Sequence, residues 1–267
     1  MRANLTISKT TPGPSKSPKM MAPDGQSAVL CRSYNYRPGH HVQPHAHEEG
    51  QLVYAVQGVM TVSSSDGRWI VPPTRGIWMP CGAVHEIRCI GEVHMRCVYI
   101  GANASFNLPL HPRAVAIYPL LRELIIAAGH ITQPHKTDSR DSRLIRLLID
   151  ELQELPVLPL HLPQPNDPRL IRICEHICAA PEDCRTLEEW AQSLDLSSKT
   201  VQRLFTRQTG MTFAKWRQQA RLLYGLERLA VGDKVSDVAS ALGYDSPSAF
   251  ATMFKRQFSV PPREFFR

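Results

Sequence analysis

Between residues 27 and 100 the chain alternates apolar and polar positions in short β-prone runs. The runs are Ala28 to Tyr34, Gly50 to Val56, Val59 to Ser63, Gly67 to Val71, Gly76 to Met79, His85 to Cys89 and His94 to Ile100. Turn-forming pairs separate them: Pro38-Gly39, Gln57-Gly58, Asp66-Gly67, Pro72-Pro73, Cys81-Gly82 and Ile90-Gly91. Regular turn signals between short strands predict a sandwich or barrel. After Gly101 the apolar period lengthens. Arg113 to Ala128 carries apolar residues at helical spacing, and Pro119 within it marks a kink or a helix start. Thr137 to Leu155 predicts an amphipathic helix with Leu144, Leu147, Leu148, Leu152 and Leu155 on one stripe. Residues 156–168 hold prolines at 156, 159, 163, 165 and 168, which predicts a semi-rigid linker and a domain boundary. Residues 1–26, rich in Pro, Ser, Thr and Lys, read as a flexible arm. The expectation is a two-domain α+β chain, with a strand-rich domain over 27–101, helices over 102–155 and an all-helical domain over 169–267.

The helical domain repeats itself. Leu187 to Leu194 aligns with Val235 to Leu242, and Ala191 to Leu194 matches Ala239 to Leu242. Each copy continues through a polar turn into a second helix ending in Phe205 or Phe254, with Trp216 or Phe265 eleven residues later. An inward Ala that lets two helices cross closely, followed by a tight turn, is the pattern of a helix-turn-helix unit. The two units fall near residues 187–208 and 235–258. In the first, Asp195-Leu196 is the turn and Ser197 the N-cap. The outward face of its second helix carries Lys199, Thr200, Gln202, Arg203 and Arg207. Gln pairs bidentately with adenine and Arg with guanine, while Arg207 is placed for phosphate. In the second unit Gly243-Tyr244-Asp245 form the turn, Ser246 caps, and Pro247 sits where its missing N–H costs nothing. Its second helix presents Ser248, Ala249, Thr252, Lys255 and Arg256, a set suited to backbone grip and shape reading more than base discrimination. Between the units, Thr212 to Ala230 predicts one helix of about 28 Å, close to the ~34 Å between successive major-groove faces.

These residues resemble the AraC/XylS family of transcription regulators. The resemblance is carried by Thr200 to Gly210, Gly243 to Phe250, Phe254 to Phe258 and Val260 to Phe265. It implies that positions 199, 202 and 203 face bases in one groove and 248, 249 and 252 in the next. It also implies double-stranded promoter DNA as partner, RNA polymerase as a further candidate partner, and a homodimer. The stripe of the 137–155 helix then has two readings, a dimer surface or packing against its own barrel.

In the strand-rich domain, Gly39 precedes His45-Ala-His47, Gln51 and Gly58, and Pro80-Cys-Gly82 precedes His85. His45 and His47 alternate and so share a face. With His85 from a neighbouring strand they form a candidate site for Zn, Fe, Ni or Mn. Both spacings look like the two halves of the cupin pattern, which implies a cupin-like, jelly-roll sensor domain, with Gln51 where metal-binding cupins carry Glu. Three readings stay open: an organic effector pocket, a divalent transition metal, and structural histidines. Tyr54, Trp78 and Met95 are the apolar neighbours expected to complete an effector pocket. His40 and His41 read as solvated turn residues.

Charge shifts this picture modestly. The 267 residues carry a formal net charge of +7, and residues 169–267 contribute +4 of it. That favours sequence readout over simple adhesion to polyanions. No apolar run approaches the roughly 18 residues a bilayer span needs, so no membrane partner and a cytoplasmic location are expected. Seven cysteines without a CxxC pair argue for reduced thiols. Cys174 and Cys178 share a helix face as small buried hydrophobes, or as a redox or metal pair. The expected function is a non-enzymatic, effector-responsive DNA-binding regulator. The alternative is a metal-dependent cupin enzyme with an accessory nucleic-acid domain.

Overall fold

The computed structural model describes residues 29–73, 75–101, 108–131, 138–155, 158, 160–258 and 260–265. The arm expected over residues 1–26 lies outside them, as do Pro156 and Pro159. Strands β1 (Val29–Tyr36), β2 (His41–His45), β3 (Gly50–Ser64), β4 (Gly67–Val71), β5 (Arg75–Met79), β6 (His85–Ile100) and β7 (Arg113–Ala116) come first. Helices α1 (Pro119–Ala128) and α2 (Arg140–Gln153) follow, then β8 (His161–Pro163). All eight strands join one antiparallel sheet, in which β6 and β3 are central and β8 extends the β4 edge.

Two expected strand breaks are bends instead. Gln57-Gly58 and Ile90-Gly91 fall inside β3 and β6, and the β3–β6 register shifts on either side of Gln57. Gly58 has φ +81, and a Cβ there would lie 2.1 Å from the Glu92 carbonyl oxygen. A glycine that permits a bulge lets the strand change direction without ending. The turn expected at His40 and His41 is likewise shorter than predicted. His41 lies in β2, half-buried, with Nε2 2.7 Å from Glu86 Oε2. Pro119 begins α1, and the residues before it form β7 rather than an earlier helical turn.

The Pro-rich segment is also more than a spacer. His161 to Pro163 pairs with β4, Gly67 opposite Pro163 and Trp69 opposite His161. An edge position suits a proline that cannot donate to the ladder. The α2 stripe divides. Leu148 and Leu152, with Ile145 beside the stripe, are buried with α1 against Leu52, Tyr54, Trp78, Val98 and Ile100 of the sheet, Leu144 and Leu155 pack half-buried at the margin, and Leu147 stays 42% exposed. Packing on the chain's own sheet therefore occupies most of that stripe.

The C-terminal part contains α3 (Pro168–Ala179), α4 (Leu187–Gln192), α5 (Ser198–Thr209), α6 (Phe213–Ala230), α7 (Val235–Ala241), α8 (Pro247–Phe258) and α9 (Pro262–Phe265). A capping box at Thr186 and Glu189 starts α4, and Gly210 at φ +70 ends α5. The core of this part is continuous with the sheet interior. Trp69, Leu162, Leu170, Phe205, Trp216, Leu226, Phe250 and Phe254 belong to one apolar cluster. Cys174 is part of that core and Cys178 packs at its margin, and burial raises both thiols' pKa, which fits the small-hydrophobe reading.

Candidate functional site

The histidine site is assembled by β2, the turn after it, and the start of β6. His45 pairs directly with His85 across β2 and β6. His47 lies beyond the strand end and is held from the next loop. The Gly82 N–H donates to the His47 carbonyl at 2.8 Å, and the Cys81 thiol donates to the Glu48 carbonyl at 2.6 Å. Gly82 adopts φ +74, a conformation that favours glycine. The rings of His45 and His47 lie 4.8 Å apart, and those of His45 and His85 4.4 Å apart. One nitrogen from each of the three lies within 4.8 Å of the others.

Their tautomers follow from their neighbours. His45 Nδ1 donates to the Gln43 carbonyl at 2.7 Å and His85 Nδ1 to the Ala83 carbonyl at 2.9 Å. A carbonyl only accepts, so each ring leaves its Nε2 lone pair for another partner. Among the described residues, the buried Nε2 atoms of His45 and His85 have no hydrogen-bond partner, nor do Glu49 Oε2 and Tyr36 Oη. Burial, reinforced by the neighbouring imidazoles, holds His47 down to about 4. Burial also lowers His85 to about 4, against the opposing Ala83 carbonyl. At neutral pH these two rings are neutral, as a metal ligand must be. Tyr99 meets His47 edge to face with ring centroids 5.2 Å apart. Gln51 is the cross-strand partner of Tyr99 and shares its face.

Alternation along the strands separates two of the expected pocket residues from this group. Tyr54 and Trp78 face the opposite side of the sheet, in the cluster covered by α1 and α2. The Trp78 indole lies across Gly50, where a Cβ would approach it to 2.3 Å, and donates from Nε1 to the Pro109 carbonyl at 2.7 Å. They are core residues of the outer face. Met95 lies in the interior cluster. The spacing alone does not single out Tyr99, whose ring reaches His47 from β6.

The second candidate site is the paired helical unit. The expected turns are present, and both pivot on a left-handed residue: Asp195 at φ +54 and Gly243 at φ +72. These positions are 48 apart. The second copy spends one more residue before its helix, so Phe205 and Phe254 are 49 apart. Ala191 and Ala239 are buried at the helix crossings, and their carbonyls accept from Leu196 and Tyr244 at 3.0 Å each. Ser197 and Ser246 act as N-caps, accepting from Thr200 N at 3.2 Å and Ala249 N at 3.1 Å. Their hydroxyls fix helix ends.

The other expected readers lie on open surface or at its edge. Lys199, Arg203, Arg207, Ser248, Ala249, Thr252, Lys255 and Arg256 are exposed, whereas Thr200 and Gln202 are half-buried. Gln202 Nε2 donates to Thr206 Oγ1 at 2.9 Å along its own helix. Between the units, α6 is 18 residues long, about 27 Å at 1.5 Å per residue. Gly225 lets α6 close on the second unit, where a Cβ would meet Leu242 at 3.2 Å and Phe250 at 3.3 Å.

Comparison with known proteins agrees with both halves. The helix-turn-helix domain family matches residues 190–267, and the AraC-like ligand binding domain family matches residues 27–183. The HTH-type transcriptional regulator NimR of Escherichia coli (strain K12) is 34% identical over 221 residues, covering 83% of this chain and 81% of that protein. The HTH-type transcriptional activator RhaS of Klebsiella pneumoniae (strain 342) is 31% identical over 167 residues, 59% of this chain and 58% of that one. Among solved structures, ToxT from Vibrio cholerae aligns over 89% of this chain and 97% of its own at 10% identity and a TM-score of 0.38. A ligand-binding sheet domain followed by a helix-turn-helix domain, with regulators as relatives, fixes the assignment: the chain belongs to the AraC family of transcription regulators.

Proposed function

We propose that one chain reads two adjacent major-groove segments of promoter DNA and that the histidine chamber holds the effector that governs this reading. Lys199, Thr200, Gln202 and Arg203 face the first segment, with Arg207 on phosphate. Ser248, Ala249 and Thr252 face the second, with Lys255 and Arg256 on phosphate. Ser197 and Ser246 place the two helix ends. The observation that carries this reading is the pair of capped helices with exposed polar faces at the two ends of one 18-residue rod.

In the chamber, His45, His47 and His85 would hold a divalent transition metal, with Gln51 and Tyr99 beside them. Two idle Nε2 atoms fit that donor set, and their Nδ1–H···O=C bonds are the outer contacts that orient ligating imidazoles. Tetrahedral nitrogens at a metal distance of about 2.05 Å lie about 3.3 Å apart, so small ring rotations would close the set. The bound ion would supply a Lewis-acidic anchor for an effector oxygen or nitrogen. Tyr54 and Trp78 have no part in this chamber.

The protein acts in the cytoplasm without catalysis, as a homodimer able to contact RNA polymerase. The exposed Tyr118, Leu120 and Leu147 on and beside α1 and α2 favour a dimer surface there. Among the described residues, no helix is long and apolar enough to cross a membrane. Selection from a random DNA pool, with and without Zn(II), tests the whole reading. A bipartite consensus supports it, and pools indistinguishable from input contradict it.

A further inference from the structure

The rod that carries both readers is docked on the sensor sheet. Helix α6 touches β3, β4, β6 and β8. Ala220, Leu223 and Tyr224 meet Leu162, Ile177 and Cys178 around a cavity of about 30 Å³, room for little more than water. Arg68 and Glu227 also line it. Glu227 Oε1 accepts from Arg68 Nη2 at 2.6 Å and from Thr61 Oγ1 at 3.2 Å. Thr61 points away from the sheet interior that Met60 and Val62 fill, yet it is only 2% exposed. An outward threonine is buried there because α6 covers it.

Two further ties bracket this one. Trp216 Nε1, near the start of α6, donates to the Pro163 carbonyl at 2.8 Å. Pro163 is itself fixed to the sheet opposite Gly67, where a Cβ would lie 2.4 Å from the Leu162 carbonyl oxygen. Beyond the second reader, the Arg75 guanidinium lies 5.6 Å from the centroid of the Phe265 ring. With all three ties made, Lys199, Arg203, Ser248, Ala249 and Thr252 remain exposed. Docking therefore holds the rod without covering the readers.

We propose that the Arg68–Glu227–Thr61 contact is a latch that locks the reader-bearing rod to the sensor sheet and transmits chamber occupancy to it. The latch strand is also the chamber strand. Thr61 lies three residues, roughly 10 Å, from Ser64, whose cross-strand partner is His85. A chamber occupant that shifts His85 acts on the strand pair that presents Thr61 to Glu227. The transmission step rests on the chamber reading above, whereas the lock does not.

The full chain tests both. Arg68→Glu sets two carboxylates against each other, and adding Glu227→Arg restores an opposite pair. Calorimetric unfolding is expected to show one transition for the wild type, two for Arg68→Glu and one for the swapped pair. Glu227→Gln gives the same separation more weakly should the reversal fail to fold. In the unliganded state, Arg68→Glu should bind the selected DNA site within about 2-fold of wild type, as expected for a site remote from the readers. With Zn(II) as the chamber probe, the wild type should change its DNA affinity, and Arg68→Glu should bind Zn(II) without that change. A single transition in both Arg68→Glu and Glu227→Gln overturns the lock. An undiminished Zn(II) response in Arg68→Glu overturns the transmission. If wild type takes up no Zn(II), the chamber reading and the transmission fall together while the calorimetry still decides the lock.

Discussion

The sensor chamber and the reader pair treat polar groups in opposite ways. In the chamber, the Nε2 atoms of His45 and His85 are buried with bonds left unmade. Among the described residues of the reader domain, buried side-chain polar groups have partners. Asp183 accepts from Arg185 and His176, and Arg221 donates to the carbonyls of Pro181 and Asp183. An unmade bond in a buried site costs stability unless a partner arrives, so the first pattern marks a site for a small ligand. Exposed side chains on rigid, well-capped helices mark a site for a large one, whose own surface supplies the missing partners.

The contrast can be broken most strongly at the chamber. His45→Ala with His47→Ala should weaken Zn(II) uptake, read by calorimetric titration, by about 100-fold or more, since even outer-shell losses cost about 10- to 100-fold. Binding to the selected DNA site without metal should be unchanged. Loss of both together would mean that the histidines serve the fold.

On the reader face the effects are smaller and differ between copies. Arg203→Ala should cost ~1 to 3 kcal/mol in operator affinity and relax preference at one base. Lys255→Ala should weaken all sequences about equally and lower the salt slope by about 1. Equal base selectivity losses in both variants would erase the distinction between a base-reading first copy and a backbone-gripping second.

The smallest effects concern the scaffold. Ser197→Ala should cost about 1 kcal/mol of stability in denaturant unfolding, through loss of a helix cap. Asp167 caps α3 by accepting from Arg169 N, and the Arg169 guanidinium holds its carboxyl down to about 2. Because the folded value lies below the unfolded one, its contribution is complete above about pH 4 and fades as pH falls through about 2. Asp167→Asn should flatten the acid limb of the stability curve in that window.

Much of this was legible in the chain. The 48-residue repeat, Ala191 and Ala239, and the Ser197 and Ser246 caps set the reader pair because they are local signals, read within one helix-turn-helix unit. The His45, His47 and His85 grouping was legible from spacing. Tyr54 and Trp78 were misplaced because strand alternation decides their face, and their side is fixed only once Gln51 is known to point inward. The edge strand inside the Pro-rich segment is illegible for a different reason. Prolines announce a break in local structure, but whether His161 to Pro163 adds to a sheet edge depends on β4, almost a hundred residues away. The Arg68–Glu227 contact spans 159 residues and has no sequence signal at all.

One chain placing two helices in successive grooves leaves a distinctive mark on DNA. Hydroxyl-radical footprinting on the selected DNA site measures it directly. Two protected patches on one face of the duplex, about 10 base pairs apart, are predicted, with Arg203→Ala losing contrast in one patch alone. A single patch that Arg203→Ala and Thr252→Ala weaken alike would contradict it.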